Sequence, residues 1–206
     1  GVSTLKPRKI WFDETVQRLN VDGRGELLGE FRGGDKILIV SQKGLLKTIP
    51  PELTTHFNDD MIVLEKWVPK KPLSAIYFDG KKEKYFAKRF LIENENKEEC
   101  FISTNKGSFL ELISTDWKPV FEIIFNKVRN KDQRPNEKII FEDFISVKGI
   151  KAQGNQLTSH KVKQVNSLES IQYSPPVNLN EEIEVVDEAI VNKEDDSSAQ
   201  TQATLF

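Results

Sequence analysis

Along roughly the first 170 residues, apolar side chains recur at every second position in short bursts that end at turn residues. That period belongs to β-strands, whose successive side chains point to opposite faces. Arg8–Phe12 and Thr15–Val21 flank Asp13-Glu14, and Lys36–Val40 and Leu45–Ile49 flank Gln42-Lys43-Gly44, so each pair predicts a hairpin. The same form recurs at Ala75–Phe78 with Lys84–Ala87 around Asp79-Gly80, and at Cys100–Ser103 with Phe109–Leu112 around Asn105-Lys106-Gly107. A fifth hairpin is expected between Val147 and Val165, turning near Gln153-Gly154-Asn155. The Asp-Gly and Lys-Gly corners supply the positive φ that tight turns need. Residues 51–60 and 127–137 are polar connectors, and no segment reads convincingly as a helix.

The segments QKGLLKTI (42–49) and NKGSFLEL (105–112) are versions of one unit, a Lys-Gly turn followed by a strand. Repetition of such a unit predicts stacked sheets, and about 14 candidate strands make three to four propeller-like antiparallel blades. An all-β chain of this kind is the expectation, with a β-sandwich as the competing architecture. From Pro175 the alternation stops. Pro175-Pro176, a run of acids and Asp195-Asp196-Ser197-Ser198 offer little apolar area to offset chain entropy, so 175–206 is expected to be a disordered tail behind a domain at 1–174.

Charge sharpens that division. The 30 Lys+Arg and 32 Asp+Glu give a formal −2, but 175–206 holds eight acids and one base and carries −7, leaving +5 on 1–174. A mildly basic body permits a polyanionic partner. One Cys excludes a disulfide framework and a four-thiolate zinc site. The opening GVSTLKPRKIWF lacks the apolar run of a secretion signal, and no stretch reaches the roughly 18 apolar residues of a membrane helix, so a cytoplasmic location is expected.

Catalytic chemistry has few footholds. His56 stands near Asp59 and Asp60, yet Thr-Thr-His-Phe-Asn-Asp-Asp is common solvated turn chemistry, and no metal site is expected. Cys100 alternates with Ile102 and reads as a small buried hydrophobe, and His160 has no evident partner. Gly23-Arg24-Gly25 and Gly33-Gly34-Asp35 lie between strands rather than before a helix, so neither is a nucleotide loop. Trp11, Phe12, Trp67, Phe78, Phe86 and Trp117 fall at strand positions where packing is the default.

The stretch Asp35–Pro50 and its echo Phe101–Gly107 resemble the blade repeat of the C-terminal domain of bacterial type IIA DNA topoisomerase A subunits. Gly1–Thr4 through Arg8–Asp13, then Arg18–Gly25, look like the topoisomerase IV form found in Bacteroidetes (also labelled gyrase A there), and Phe144–Asn155 is similar to its closing blade. The resemblance covers about 1–170. It implies a β-pinwheel whose basic rim holds duplex DNA without sequence preference, no catalytic residue or cofactor on this chain, and a nucleoid-associated setting. ATP and Mg would act on other domains of the parent enzyme, and the partners would be the rest of the A subunit and its ATPase B subunit. None of Tyr77, Tyr85 or Tyr173 is expected to be the DNA-cleaving tyrosine.

Two departures accompany it. The family's complete domain has five or six blades, so a fragment lacking its first blades is expected. The glutamine-arginine-arginine-glycine-rich box of DNA-wrapping gyrases is also missing, which favours a non-supercoiling parent. The expected phosphate contacts are Arg18, Arg24, Lys43, Lys47, Lys88, Arg89 and Lys106, with a second cluster at Lys148, Lys151, Lys161 and Lys163. The competing reading is a propeller that binds another protein. Finally, Gln202-Ala203-Thr204-Leu205-Phe206 resembles the Gln-x-Ser/Asp-Leu-Phe peptide that docks replication proteins into the sliding clamp, through Gln202, Leu205 and Phe206.

Overall fold

The computed structural model describes residues 6–176, whose first compact unit runs to Tyr173. Its strands are β1 (Arg8–Asp13), β2 (Arg18–Asn20), β3 (Glu26–Phe31), β4 (Ile37–Ser41), β5 (Leu45–Ile49), β6 (Met61–Lys66), β7 (Leu73–Asp79), β8 (Lys84–Phe90), β9 (Glu99–Cys100), β10 (Phe109–Ser114), β11 (Lys118–Phe125) and β12 (Glu137–Ile140). A single helical turn, α1 (Phe141–Phe144), precedes β13 (Asn155–Gln156) and β14 (Val162–Gln172). Among the described residues no helix is long and apolar enough to cross a membrane.

Four antiparallel sheets follow one rule, and each is a blade of an all-β pinwheel. A hairpin leads, and the next strand pairs with the hairpin's first strand, giving the orders β2-β1-β3, β5-β4-β6, β8-β7-β10 and β12-β11-β14. The middle two blades gain a fourth strand from the chain of the blade that follows: β9 pairs with β5 through Leu45↔Cys100 and Leu46↔Glu99, and β13 pairs with β8 through Ala87↔Asn155 and Phe86↔Gln156. Each donated strand has two residues, too few to hold by ladder bonds alone. The next residue secures it. The Phe101 N–H donates to Gly44 O at 3.0 Å and the Leu157 N–H to Tyr85 O at 2.8 Å, and both side chains are buried, at 1% and 5% exposure.

Three cores lie between successive blades. Ile10, Phe12, Phe31 and Ile37 fill the first, Leu38, Val40, Leu73, Phe90 and Phe101 the second, and Ile76, Phe121, Phe141 and Leu157 the third. Alternate residues of one strand therefore serve different cores: Ile37 belongs to the first and Leu38 to the second, Ala75 to the second and Ile76 to the third. Central strands of inner blades have two dry faces, which accounts for the near-continuous apolar runs ILIV and LSAIYF.

Two expected hairpins are not hairpins. The arms around Asn105-Lys106-Gly107 part company, β9 joining β5 and β10 joining β7; the arms of Val147–Val165 do likewise, β13 joining β8 and β14 joining β11. The first turn forms where expected, whereas the second lies earlier, the Ala152 N–H donating to Gly149 O at 3.0 Å while Asn155 already belongs to β13; in both cases the strands find partners in different blades because the donated segment must cover the preceding sheet's edge. Cys100 also differs from expectation: it is exposed, since in a two-residue edge strand it is the following Phe101 that enters the core.

Candidate nucleic-acid interface

Each blade tip is assembled from two loops, the hairpin turn and the loop that enters the third strand. In the first blade Asn20 organises the second loop, accepting from the N–H groups of Asp22 (3.1 Å) and Arg24 (3.0 Å) and donating to Arg24 O (2.8 Å). In the second, Gln42 N–H donates to Asp60 O at 2.8 Å, setting Lys43 beside an acidic loop. In the third, Gly80 N–H donates to Ser108 Oγ at 2.9 Å, which brings Lys106 to Lys81 and Lys82. In the fourth, Asn126 N–H donates to Lys161 O at 2.9 Å, joining Lys161 to the long loop 126–136.

The tips consequently differ in charge. Glu14 stands at the first hairpin turn and Lys43 at the second; Lys81 and Lys82 accompany Glu83 at the third; Lys127, Arg129, Lys131 and Arg134 accompany Asp132 at the fourth. Among the described residues no carboxylate lies at ion-pairing distance from Lys43, Lys81, Lys82, Lys106, Lys161 or the four cations of the last turn. Unpaired cations on fixed loops can neutralise phosphates without first breaking an internal pair.

Asp79 fixes the third tip. Its carboxylate accepts from the Lys81 and Lys82 N–H groups (2.9 and 3.1 Å) and from Asn105 Nδ2 (3.0 and 3.2 Å). Burial acts to raise its pKa, but these donors prevail and hold it at about 2. It therefore stays ionised at neutral pH as a structural acceptor under the exposed lysines.

The cations expected from sequence divide three ways. Arg18, Lys43, Lys106, Lys151, Lys161 and Lys163 are exposed. Arg24 is exposed too but pairs with Asp22 at 3.3 Å, while Lys148 donates to Asn155 Oδ1 at 3.1 Å and Lys47 is half-buried. Lys88 and Arg89 are not surface groups: they are 3% and 6% exposed, because β8 lies inside its sheet with both faces covered. Arg89 donates to Trp117 O at 3.2 Å. Lys88 Nζ donates to Phe101 O at 3.1 Å and to Ile150 O, tying together the segments that carry β9 and β13, and sits 5.3 Å over the Phe90 ring. Gln202, Leu205 and Phe206, like the acidic tail, lie outside the described residues.

Burial lowers the Lys88 pKa to about 8, the Cys100 thiol opposing that only in part. Between pH 8 and the unfolded value of 10.5 the unfolded chain holds a proton that the folded chain has released. The unfolding free energy is thus expected to rise with pH across that window, by on the order of 1–2 kcal/mol from pH 7.5 to 9.5. Urea titrations on a Cys100→Ser background check it; Lys88→Met should flatten the rise, and an equal rise in both proteins would refute the assignment. The window stops below pH 10, because burial raises the Tyr77 and Tyr85 phenols above that value.

Sequence reading passed over Lys81, Lys82, Lys127, Arg129, Lys131 and Arg134. The signal was present in KVRNKDQR, four cations to one acid, but a polar loop of that composition also reads as a connector. Among the described residues no group of three His, Cys, Asp or Glu side chains is gathered that could hold a metal, and His56 is exposed on its loop.

No curated protein matches the chain. Residues 18–169, from β2 into β14, match the family model described as the topoisomerase C-terminal domain of Bacteroidota. That span is well over half of the 206 residues and takes in every blade tip with unpaired cations. The chain belongs to the Bacteroidota topoisomerase C-terminal domain family.

Proposed function

We propose that this domain binds and positions duplex DNA, without sequence preference, within a type IIA topoisomerase of the topoisomerase IV kind. The observation that carries the reading is the set of exposed, unpaired cations that the third and fourth blade tips gather from separate loops. Contacts of this sort neutralise phosphates and orient a duplex but carry no base information. DNA cleavage and ATP hydrolysis would belong to the rest of the A subunit and to the B subunit, in the nucleoid. Binding by residues 1–174 is expected to fall linearly in log-log against salt, with a slope of roughly −3 to −6 for about four to six phosphates. A flat response would instead favour a propeller that binds protein.

The sequence 175–206 carries −7, so at high effective concentration it competes with phosphate for the same cations. Deleting 176–206 should tighten DNA binding below about 0.1 M ionic strength, where the screening length is roughly 10 Å. Equal binding with and without the segment would assign it another purpose, for which the clamp-like ending Gln202, Leu205 and Phe206 is the candidate. A 197–206 peptide that shows no binding to the sliding clamp up to about 1 mM would remove that candidate.

A further inference from the structure

We propose that the cleft between loop 126–136 and the loop entering β14 is the principal anchor of the DNA surface and seats a stretch of sugar-phosphate backbone. The proposal rests on the DNA reading above and makes it local. The cleft has a volume of about 390 Å³, and Phe125, Val128, Lys131, Arg134, Pro135 and Lys161 line it. The equivalent turns are short, 42–44 in the second blade and 80–83 in the third, whereas this one runs from 126 to 136.

A loop of that length would lose much entropy on binding if it were free. It is already fixed. Asn126 Nδ2 donates to Val162 O (3.3 Å), Gln133 Nε2 to Phe125 O (3.1 Å), Lys127 Nζ to Lys131 O (2.7 Å) and the Lys131 N–H to Val128 O (3.2 Å). The Arg134 guanidinium stands 5.5 Å over the Phe125 ring, and His160 packs edge-on to the same ring at 5.9 Å.

The ligand class follows from what is left exposed. Phe125 is 2% exposed, so its ring is committed to the core and offers no platform for a base. Lys131, Arg134 and Lys161 present donors with no carboxylate at ion-pairing distance among the described residues, and Asp132 is the acid that lines the cleft beside them. Exposed Val128 and Pro135 form apolar walls. His160 also lines the cleft, set edge-on against the buried Phe125 ring, and the three cations between apolar walls outweigh that single small ring, so the site suits phosphate and sugar rather than bases.

The test uses the full chain and a labelled random-sequence duplex titrated across salt. Lys131→Ser/Arg134→Ser/Lys161→Ser is compared with Lys81→Ser/Lys82→Ser/Lys106→Ser, which removes the same charge from the third tip. The first variant should lose about 10- to 100-fold in affinity and roughly three units of salt slope, and the second distinctly less. Equal losses, or a larger loss in the second, would overturn the anchor and leave the DNA reading standing. A wild-type chain with no salt-dependent binding would end both. Asp132→Asn, which disturbs no hydrogen bond named here, should tighten binding about two- to fivefold, and an unchanged affinity would count against the cleft even if the triple variant failed to fold.

Discussion

Phe101→Ala is expected to cost about 3–5 kcal/mol of unfolding free energy, the upper range for a large-to-small change in a closed core. Phe101 is 1% exposed, its ring lies 5.4 Å from that of Phe90, and it follows a donated strand of only two residues. Removing the ring leaves a cavity and also takes away what holds β9 against β5, so the second and third blades lose a shared element. Chemical denaturation measures the loss directly. Cys100→Ser is the control: one residue away but exposed, it should stay within about 0.5 kcal/mol of wild type. A Phe101→Ala cost below about 1 kcal/mol would mean that the donated segments are ornamental. Leu157→Ala, in the corresponding position after β13, should behave in the same direction.

Donation of that kind explains what the sequence could disclose and what it could not. Hairpins β4/β5 and β7/β8 were legible because turn and pairing are both local: Lys43-Gly44 with φ +76° at Gly44, and Asp79 accepting from the N–H groups of Lys81 and Lys82. The turn at Asn105-Lys106-Gly107 carries the same chemistry, with φ +83° at Gly107, yet its arms serve different sheets. Local residues specify the bend; the partner is chosen by an open edge some 50 residues earlier in the chain, which no window of the sequence contains. The exposure of charged residues is hidden from the sequence for a related reason. Lys88 and Arg89 look like an exposed basic pair, but the strand that bears them is internal to its sheet, where Lys88 donates to the carbonyls of Phe101 and Ile150 and Arg89 to that of Trp117.

The blade tips show how the same architecture makes a binding surface. A hairpin turn alone offers few cations, and their spacing along the chain says little about their spacing in space. By docking a second loop on each turn, the fold places Lys106 with Lys81 and Lys82, and Lys161 with Lys131 and Arg134. The acids remain within reach in the first two blades and thin out in the last two. On the proposed reading, a duplex would meet the densest group of cations at the fourth tip, where Lys127, Arg129, Lys131, Arg134 and Lys161 accompany Asp132.

Gly80→Ala joins these two themes in one substitution. A Cβ at residue 80 would lie 2.0 Å from Lys106 O and 2.6 Å from Gly107 C, both backbone atoms that cannot swing aside. The φ of Gly80 is not in the left-handed region, so strain of the residue itself contributes nothing and the whole effect is steric exclusion of the second loop. The expected cost is about 3 kcal/mol, the upper end for overpacking. Gly107→Ala makes the contrast: it carries left-handed strain at φ +83°, but its Cβ would meet Gly80 Cα at an ordinary 3.6 Å, so about 1–2 kcal/mol is expected. Because the clash pushes Lys106 away from Lys81 and Lys82, Gly80→Ala should also weaken DNA binding under conditions where the variant remains folded, with a smaller salt slope. Gly107→Ala should leave the slope unchanged. If the two alanine variants were equally stable and bound DNA alike, the close docking of the Lys106 loop on the third tip would not govern either property.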